Sequence, residues 1–147
     1  MTERVTPTEL RLPHEILQRA SLRGKEYAWP IEDIPKVIEA ARQANLASIG
    51  GQLQFRLPDG GTCECHWIEV DTCKSAPASL PWPERVNQTA AVALADFSRL
   101  LAEFDFVAEG RRSFADHFKR LEAEGGDPAR TMCFVWYLES SPDTAQS

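Results

Sequence analysis

Long apolar runs are missing from this sequence. The longest, residues 90–95 and 132–138, fall far short of the roughly 20 residues that a membrane-spanning helix needs, so no membrane segment is expected. A surplus of basic residues is missing too. Lys and Arg number 16 against 22 Asp and Glu, for a formal charge of -6 and a pI near 5.1. Binding to a phosphate backbone runs on excess positive charge, so this balance argues against a nucleic-acid partner and leaves a basic protein partner open. Cysteine is sparse: Cys63, Cys65, Cys73 and Cys133 are fewer than a disulfide scaffold carries. Residues 1–10 hold acidic side chains and no apolar stretch, which predicts a chain without a secretory signal, a cytoplasmic location and reduced thiols. No repeat and no low-complexity tract occurs. Nucleophile-elbow, phosphate-loop, dinucleotide-binding and zinc-protease patterns are lacking, and Gly50-Gly51 and Gly60-Gly61 are without the flanking residues those motifs require. A non-enzymatic chain with no cofactor and no metal is the expectation.

What remains is the material of a folded domain. With 147 residues, 43% apolar and 26% charged, the chain is long enough for one core without disulfide or metal support. We expect a single domain over 1–147, with 1–13, punctuated by Pro7 and Pro13, as an extended or flexible lead-in. A short helix is predicted from about His14 to Arg23, stopped by Gly24. A second runs from Glu32-Asp33 to about Asn45, with Ile34, Val37, Ile38 and Ala41 on one stripe. From Ser48 the period changes to two. Leu53, Phe55 and Leu57 alternate with Gln52, Gln54 and Arg56; Pro58-Asp59-Gly60-Gly61 is turn chemistry; and 62–70 is rich in strand formers, so the pair reads as an antiparallel hairpin. Alternation slips at Trp67-Ile68, which calls for a bulge or for two covered faces.

Residues 71–84 contain Pro77, Pro81 and Pro83 and read as a long ordered loop of the kind that often carries function. The longest helix follows to about Phe104, with the stripe Val86, Ala90, Ala93, Leu94, Phe97, Leu100, Leu101 and Phe104. Another amphipathic segment opens at Ser113 with Phe114, His117, Phe118 and Leu121 on one side, and 132–138 suits a doubly covered strand paired with the hairpin. The fold class is α+β: a small, mostly antiparallel sheet, made of the hairpin plus the C-terminal strand, with helices packed on one face.

Cys63, Cys65 and His66, with Glu69, Asp71 and Cys73 nearby, raise the possibility of a zinc site, but two cysteines on one side of a strand and a histidine on the other do not match paired ligand spacing. Packing as small hydrophobes is the plainer role. His117 on an apolar helix face reads as a structural histidine. Charge is more informative. Residues 59–84 carry Asp59, Glu64, Glu69, Asp71 and Glu84 against Lys74 alone, together with Trp67 and Trp82. Carboxylates around large aromatics form a recognition surface for a basic partner, or else an ordinary solvated edge beside two core tryptophans. Trp82, between two prolines, is the one expected to be partly exposed.

The order of these residues resembles a family. Ala28-Trp29 before a helix, Gly50-Gly51 opening a hairpin, a tryptophan in its second strand and a Trp82-Pro83-Glu84-Arg85 helix start are similar to small bacterial immunity proteins of the Immunity protein 40 family, over about residues 26–118. In that family's pattern an acidic residue follows the glycine pair, where this chain has Gln52. The resemblance implies stoichiometric binding and occlusion of a cognate bacterial toxin domain, from contact-dependent or type VI delivery, acting in the cytoplasm, by a monomer or small homo-oligomer. On that reading Glu64, Glu69 and Asp71 meet basic toxin groups, Trp82 packs against the toxin and Glu84 lies at the rim, although the Gly50-Gly51 end is an open alternative. A small Cys/His-dependent enzyme or metal-binding domain, and a generic acidic adaptor, are the rival expectations.

Overall fold

The computed structural model describes residues 8–142. Five antiparallel strands form one sheet: β1 (Ser21–Arg23), β2 (Glu26–Pro30), β3 (Ala47–Arg56), β4 (Thr62–Asp71) and β5 (Met132–Glu139), in the order β1-β2-β5-β3-β4. The C-terminal strand therefore lies at the centre, with Phe134 opposite both Trp29 of β2 and Leu53 of β3. That place fits its unbroken apolar run: flanked by β2 and β3, its middle residues Cys133, Phe134, Val135 and Trp136 are all buried. The class is α+β, as the patterning indicates.

The sheet is wider than the hairpin plus one strand. Only His14–Leu17 (α1) of the expected first helix is helical, and its second half forms β1, joined to β2 through Gly24 and Lys25. Gly24, read as a helix stop, has φ 61 and supplies the left-handed residue of that turn. Nor is 8–13 a lead-in: Thr8–Arg11 makes a 3-10 turn and Leu12 is buried in the core, while residues 1–7 lie outside the described part of the chain.

One face of the sheet carries the helices. In α2 (Ile34–Gln43), Ile34, Val37, Ile38 and Ala41 are buried as the periodicity indicates, and in α3 (Trp82–Glu103) Val86, Ala90, Ala93, Phe97 and Leu100 point inward. Leu101, placed on the same stripe by spacing, is instead exposed. Thr89 of α3 ties helix to sheet by accepting a hydrogen bond from the Ser48 N–H at 3.0 Å. The segment expected to open at Ser113 is helical from Ala115, and a helix that the periodicity did not mark precedes it. α4 (Phe106–Ser113) is capped by Asp105, which accepts from the Ala108 N–H, and α5 (Ala115–Ala123) follows, with Phe118 and Leu121 buried and His117 exposed. Phe118 meets Phe55 edge to face at 5.0 Å, closing the core over the hairpin end. A last short helix, α6 (Pro128–Thr131), leads into β5. Among the described residues no helix is long and apolar enough to cross a membrane.

The glycine pair is explained by backbone approach. Gly50 has φ 143, and a Cβ there would stand 2.0 Å from the Val70 carbonyl oxygen; one on Gly51 would stand 1.7 Å from that of Val135. Register shifts beside them, between Ser48 and Gly50 against β5, because only residues without a side chain let β4 and β5 come this close.

Candidate functional site

β4 is an edge strand of ten residues, and an edge presents unpaired backbone groups together with whatever side chains flank them. Gln52 of β3 pairs with Glu69, but Leu53 pairs with Cys65, so His66, Trp67 and Ile68 are inserted as a bulge. The slip in alternation is resolved this way rather than by two covered faces. Cys63, Cys65, Ile68 and Val70 all reach the core, and Trp67 is thrown outward.

Glu64 and Glu69 face the side of the sheet opposite the helices, because their partners Gln54 and Gln52 stand two residues apart on β3. Glu64 accepts from the Gln52 amide at 3.3 Å. Asp71, two residues beyond Glu69, is exposed at the strand end and also accepts the Cys73 N–H at 3.0 Å, capping the 3-10 turn Thr72–Lys74. The expected long loop is thus shortened by this turn and by α3 starting at Trp82.

Trp82 and Glu84 do not join the row on β4. They occupy the first turn of α3, on the helical side of the sheet. The Trp82 indole N–H donates to the Asn45 carbonyl at 3.0 Å and its ring lies 5.7 Å from the Arg85 guanidinium, so this side chain is fastened to its surroundings and only partly exposed. Arg85, almost fully buried, pairs with Glu139 at the end of β5. Glu84 is exposed. Of the predicted surface, the structure brings Glu64, Glu69 and Asp71 together and sets Trp82 and Glu84 apart.

Trp82 is partly exposed as expected, but Trp67 is the more exposed of the two, at 45%. Its ring stacks on Phe114 at 6.5 Å and meets His66 edge-on at 5.5 Å. Its indole N–H donates to Glu109 of α4 at 3.2 Å, and Arg112 first, with this bond beside it, holds the Glu109 carboxyl below the usual carboxylate range. Phe114, His66 and Glu109 were not legible as site residues. The sole sequence signal was the broken alternation at Trp67, which marks a bulge without saying which neighbour turns outward.

No ion pair engages Glu64, Glu69, Asp71 or Glu84 among the described residues. These carboxylates are open to a cationic partner. The thiols are not comparably available. Cys65 and Cys133 are buried, and burial pushes them up to about 12 and about 11, so both remain protonated thiols near neutral pH. Cys73 is the exposed one. Among the described residues no three His, Cys, Asp or Glu side chains converge to hold a metal ion. In comparisons with known proteins, no family model, no curated protein and no solved structure matches the chain.

Proposed function

We propose that this chain is a non-catalytic immunity protein that binds a cognate bacterial toxin domain acting in the cytoplasm, and that the partner docks on the β4 edge. The row of Glu64, Glu69 and Asp71 along the β4 edge, without ion pairs among the described residues, with the half-exposed Trp67 on the helical side of the same edge, is the observation that supports the surface; the resemblance to immunity proteins supplies the class of partner. Acidic side chains steer a basic protein in and fix its orientation, while a half-exposed aromatic already seated on Phe114 offers contact area at little entropic cost. Trp82, held by the Asn45 carbonyl, and Glu84, in the same turn of α3, are left out of this surface.

Co-expression with a toxin-like domain encoded beside this chain, followed by calorimetry of the complex, tests the reading. Glu64→Lys with Glu69→Lys is expected to weaken binding by about 2 kcal/mol or more, on the scale of broken interfacial charge pairs, and Trp67→Ala by a similar amount. Affinity unchanged in both variants would remove the β4 edge as the docking surface. Absence of any complex and of any growth rescue would remove the toxin reading itself.

A further inference from the structure

The face of the sheet opposite the helices carries, away from β4, a feature that the acidic composition conceals. A cleft of about 620 Å³ opens between β1, β2, β5 and α6, and its walls hold Arg19, Arg23, Arg56 and Arg130 against one carboxylate, Glu32. Its volume lies within the range of small-ligand sites. Ala28, Pro30, Ile31 and Cys133 give it an apolar floor.

The four guanidiniums are not equivalent. Arg19 pairs with Asp33 and is thereby neutralised. Arg56 is buried and makes four hydrogen bonds, all to uncharged acceptors: the Gln54 amide oxygen, the Ser21 carbonyl and hydroxyl, and the Glu26 carbonyl, at 2.8 to 3.1 Å. Arg23 makes three, to the Gly61 and Leu57 carbonyls at 2.7 Å and the Thr62 hydroxyl at 3.1 Å. Arg130, exposed on α6, enters no ion pair among the described residues. Neutral acceptors orient a guanidinium without cancelling its charge. Glu26, whose carboxylate acts on Arg56, also accepts from the Tyr137 hydroxyl and the Gln54 amide.

Two like charges fixed in one cleft repel. Burial first, and then Arg23, lower the proton affinity of Arg56 against the opposing pull of Glu26, and both guanidiniums act on the thiol of Cys133 on the floor. Their fields therefore meet at one place. These arginines tie β1 and β2 to the hairpin through their hydrogen bonds, and the half-enclosed space that Arg23, Arg56 and Arg130 line, with Glu32 the one carboxylate on its wall, also suits an anion, since guanidiniums match the geometry of phosphate and carboxylate oxygens.

The geometry points to a ligand site: the cleft between β1, β2, β5 and α6 binds a small organic molecule bearing a phosphate or carboxylate group, its oxyanion against Arg23, Arg56 and Arg130 and its apolar part on Ala28, Ile31 and Cys133. The Arg56 guanidinium supplies mainly field, since most of its donors are occupied. Arg130 and the free donors of Arg23 supply direct hydrogen bonds. This site is independent of the docking surface on the β4 edge and does not rest on the toxin reading.

Titration calorimetry of the full chain with inorganic pyrophosphate and with malonate, against sodium chloride at equal ionic strength, tests it and separates the two oxyanions. At least one is expected to bind saturably and to raise the melting temperature, as any ligand of the native state does. Arg130→Gln, an exposed change that leaves the fold intact, is expected to weaken that binding about fivefold or more, on the scale of one charge-assisted contact. Arg23→Gln should weaken it further. Arg99→Gln, which removes an arginine already paired with Asp96 and Glu103 on α3, should leave it unchanged. Neither anion binding above the chloride control, or equal losses in the Arg99 and Arg130 variants, would overturn the site. So would saturable binding of an acidic peptide alone, which would make the cleft a protein-docking feature.

Discussion

Replacing Gly51 by alanine tests whether the glycine pair is a structural requirement or part of a binding end. A Cβ at position 51 would lie 1.7 Å from the Val135 carbonyl oxygen and 2.8 Å from a ring carbon of Trp136, where real Cβ atoms essentially never come within 3.0 Å. The obstructing atom is backbone, not the tip of a flexible side chain. Val135 is held on both sides, opposite Ala28 of β2 and Gln52 of β3, so it can retreat only if β5 parts from β3 and loosens the ladder at the centre of the sheet. Overpacking commonly costs 1–3 kcal/mol, and this site belongs at the top of that range, about 3 kcal/mol. Gly24→Ala is the internal standard. It has φ 61 with nothing within 4 Å of the added Cβ, so only the left-handed backbone penalty of about 1 kcal/mol applies. In urea titrations followed by tryptophan fluorescence, both variants should keep the parental slope. For a chain of this length the melting temperature should fall by roughly 6–12 °C for Gly51→Ala and 2–4 °C for Gly24→Ala. Equal, small losses would refute the reasoning and return Gly50-Gly51 to the list of surface features with a role in recognition.

Phe118→Ala removes a fully buried ring packed on Phe55 and should cost about 3–5 kcal/mol in the same titration, separating α5 from the hairpin end; a loss under about 1 kcal/mol would mean that α5 is not part of the cooperative unit. Stability should also fall at alkaline pH. The Cys65 and Cys133 thiols are raised from 9.0 to about 12 and about 11, so the unfolded chain releases these protons first. Their contribution is intact below pH 9 and is lost as pH rises through 11 and towards 12. Midpoints that hold steady over that window, or a steeper fall in the double Cys65→Ala, Cys133→Ala variant than in the parent, would contradict it. A disulfide-exchange reagent should label Cys73 alone in the native chain, slowly, because burial and Asp71 keep its thiol protonated; rapid labelling of a second cysteine without denaturant would refute the burial of the other three.

Local periodicity was enough for α2 and α3, because each helix is long, buries one stripe and needs no information from elsewhere to show it: Val37, Ile38 and Ala41, then Val86, Ala90, Ala93 and Phe97, are all inside. The β3–β4 hairpin was equally legible, since Pro58-Asp59-Gly60-Gly61 announces its turn and Phe55 and Leu53 alternate with polar residues. The acidic stretch could be read from charge alone, but Glu64 and Glu69 share a face only because the bulge at 66–68 shifts the register between them. Other features depended on partners distant in the chain. Ser21–Arg23 is too short to show a period and is a strand only because β2 pairs with it. Asp33 prefigures a helix start, yet its carboxylate pairs with Arg19 instead of capping α2. Which tryptophan is the more exposed was decided by a bulge that turns Trp67 out and by the Asn45 carbonyl that holds Trp82 in place. The arginine cleft is the clearest case: Arg23, Arg56 and Arg130 are scattered through an acidic sequence, and only the placing of β5 between β2 and β3 brings them to one site, because charge becomes a local field through proximity in space and not through order along the chain.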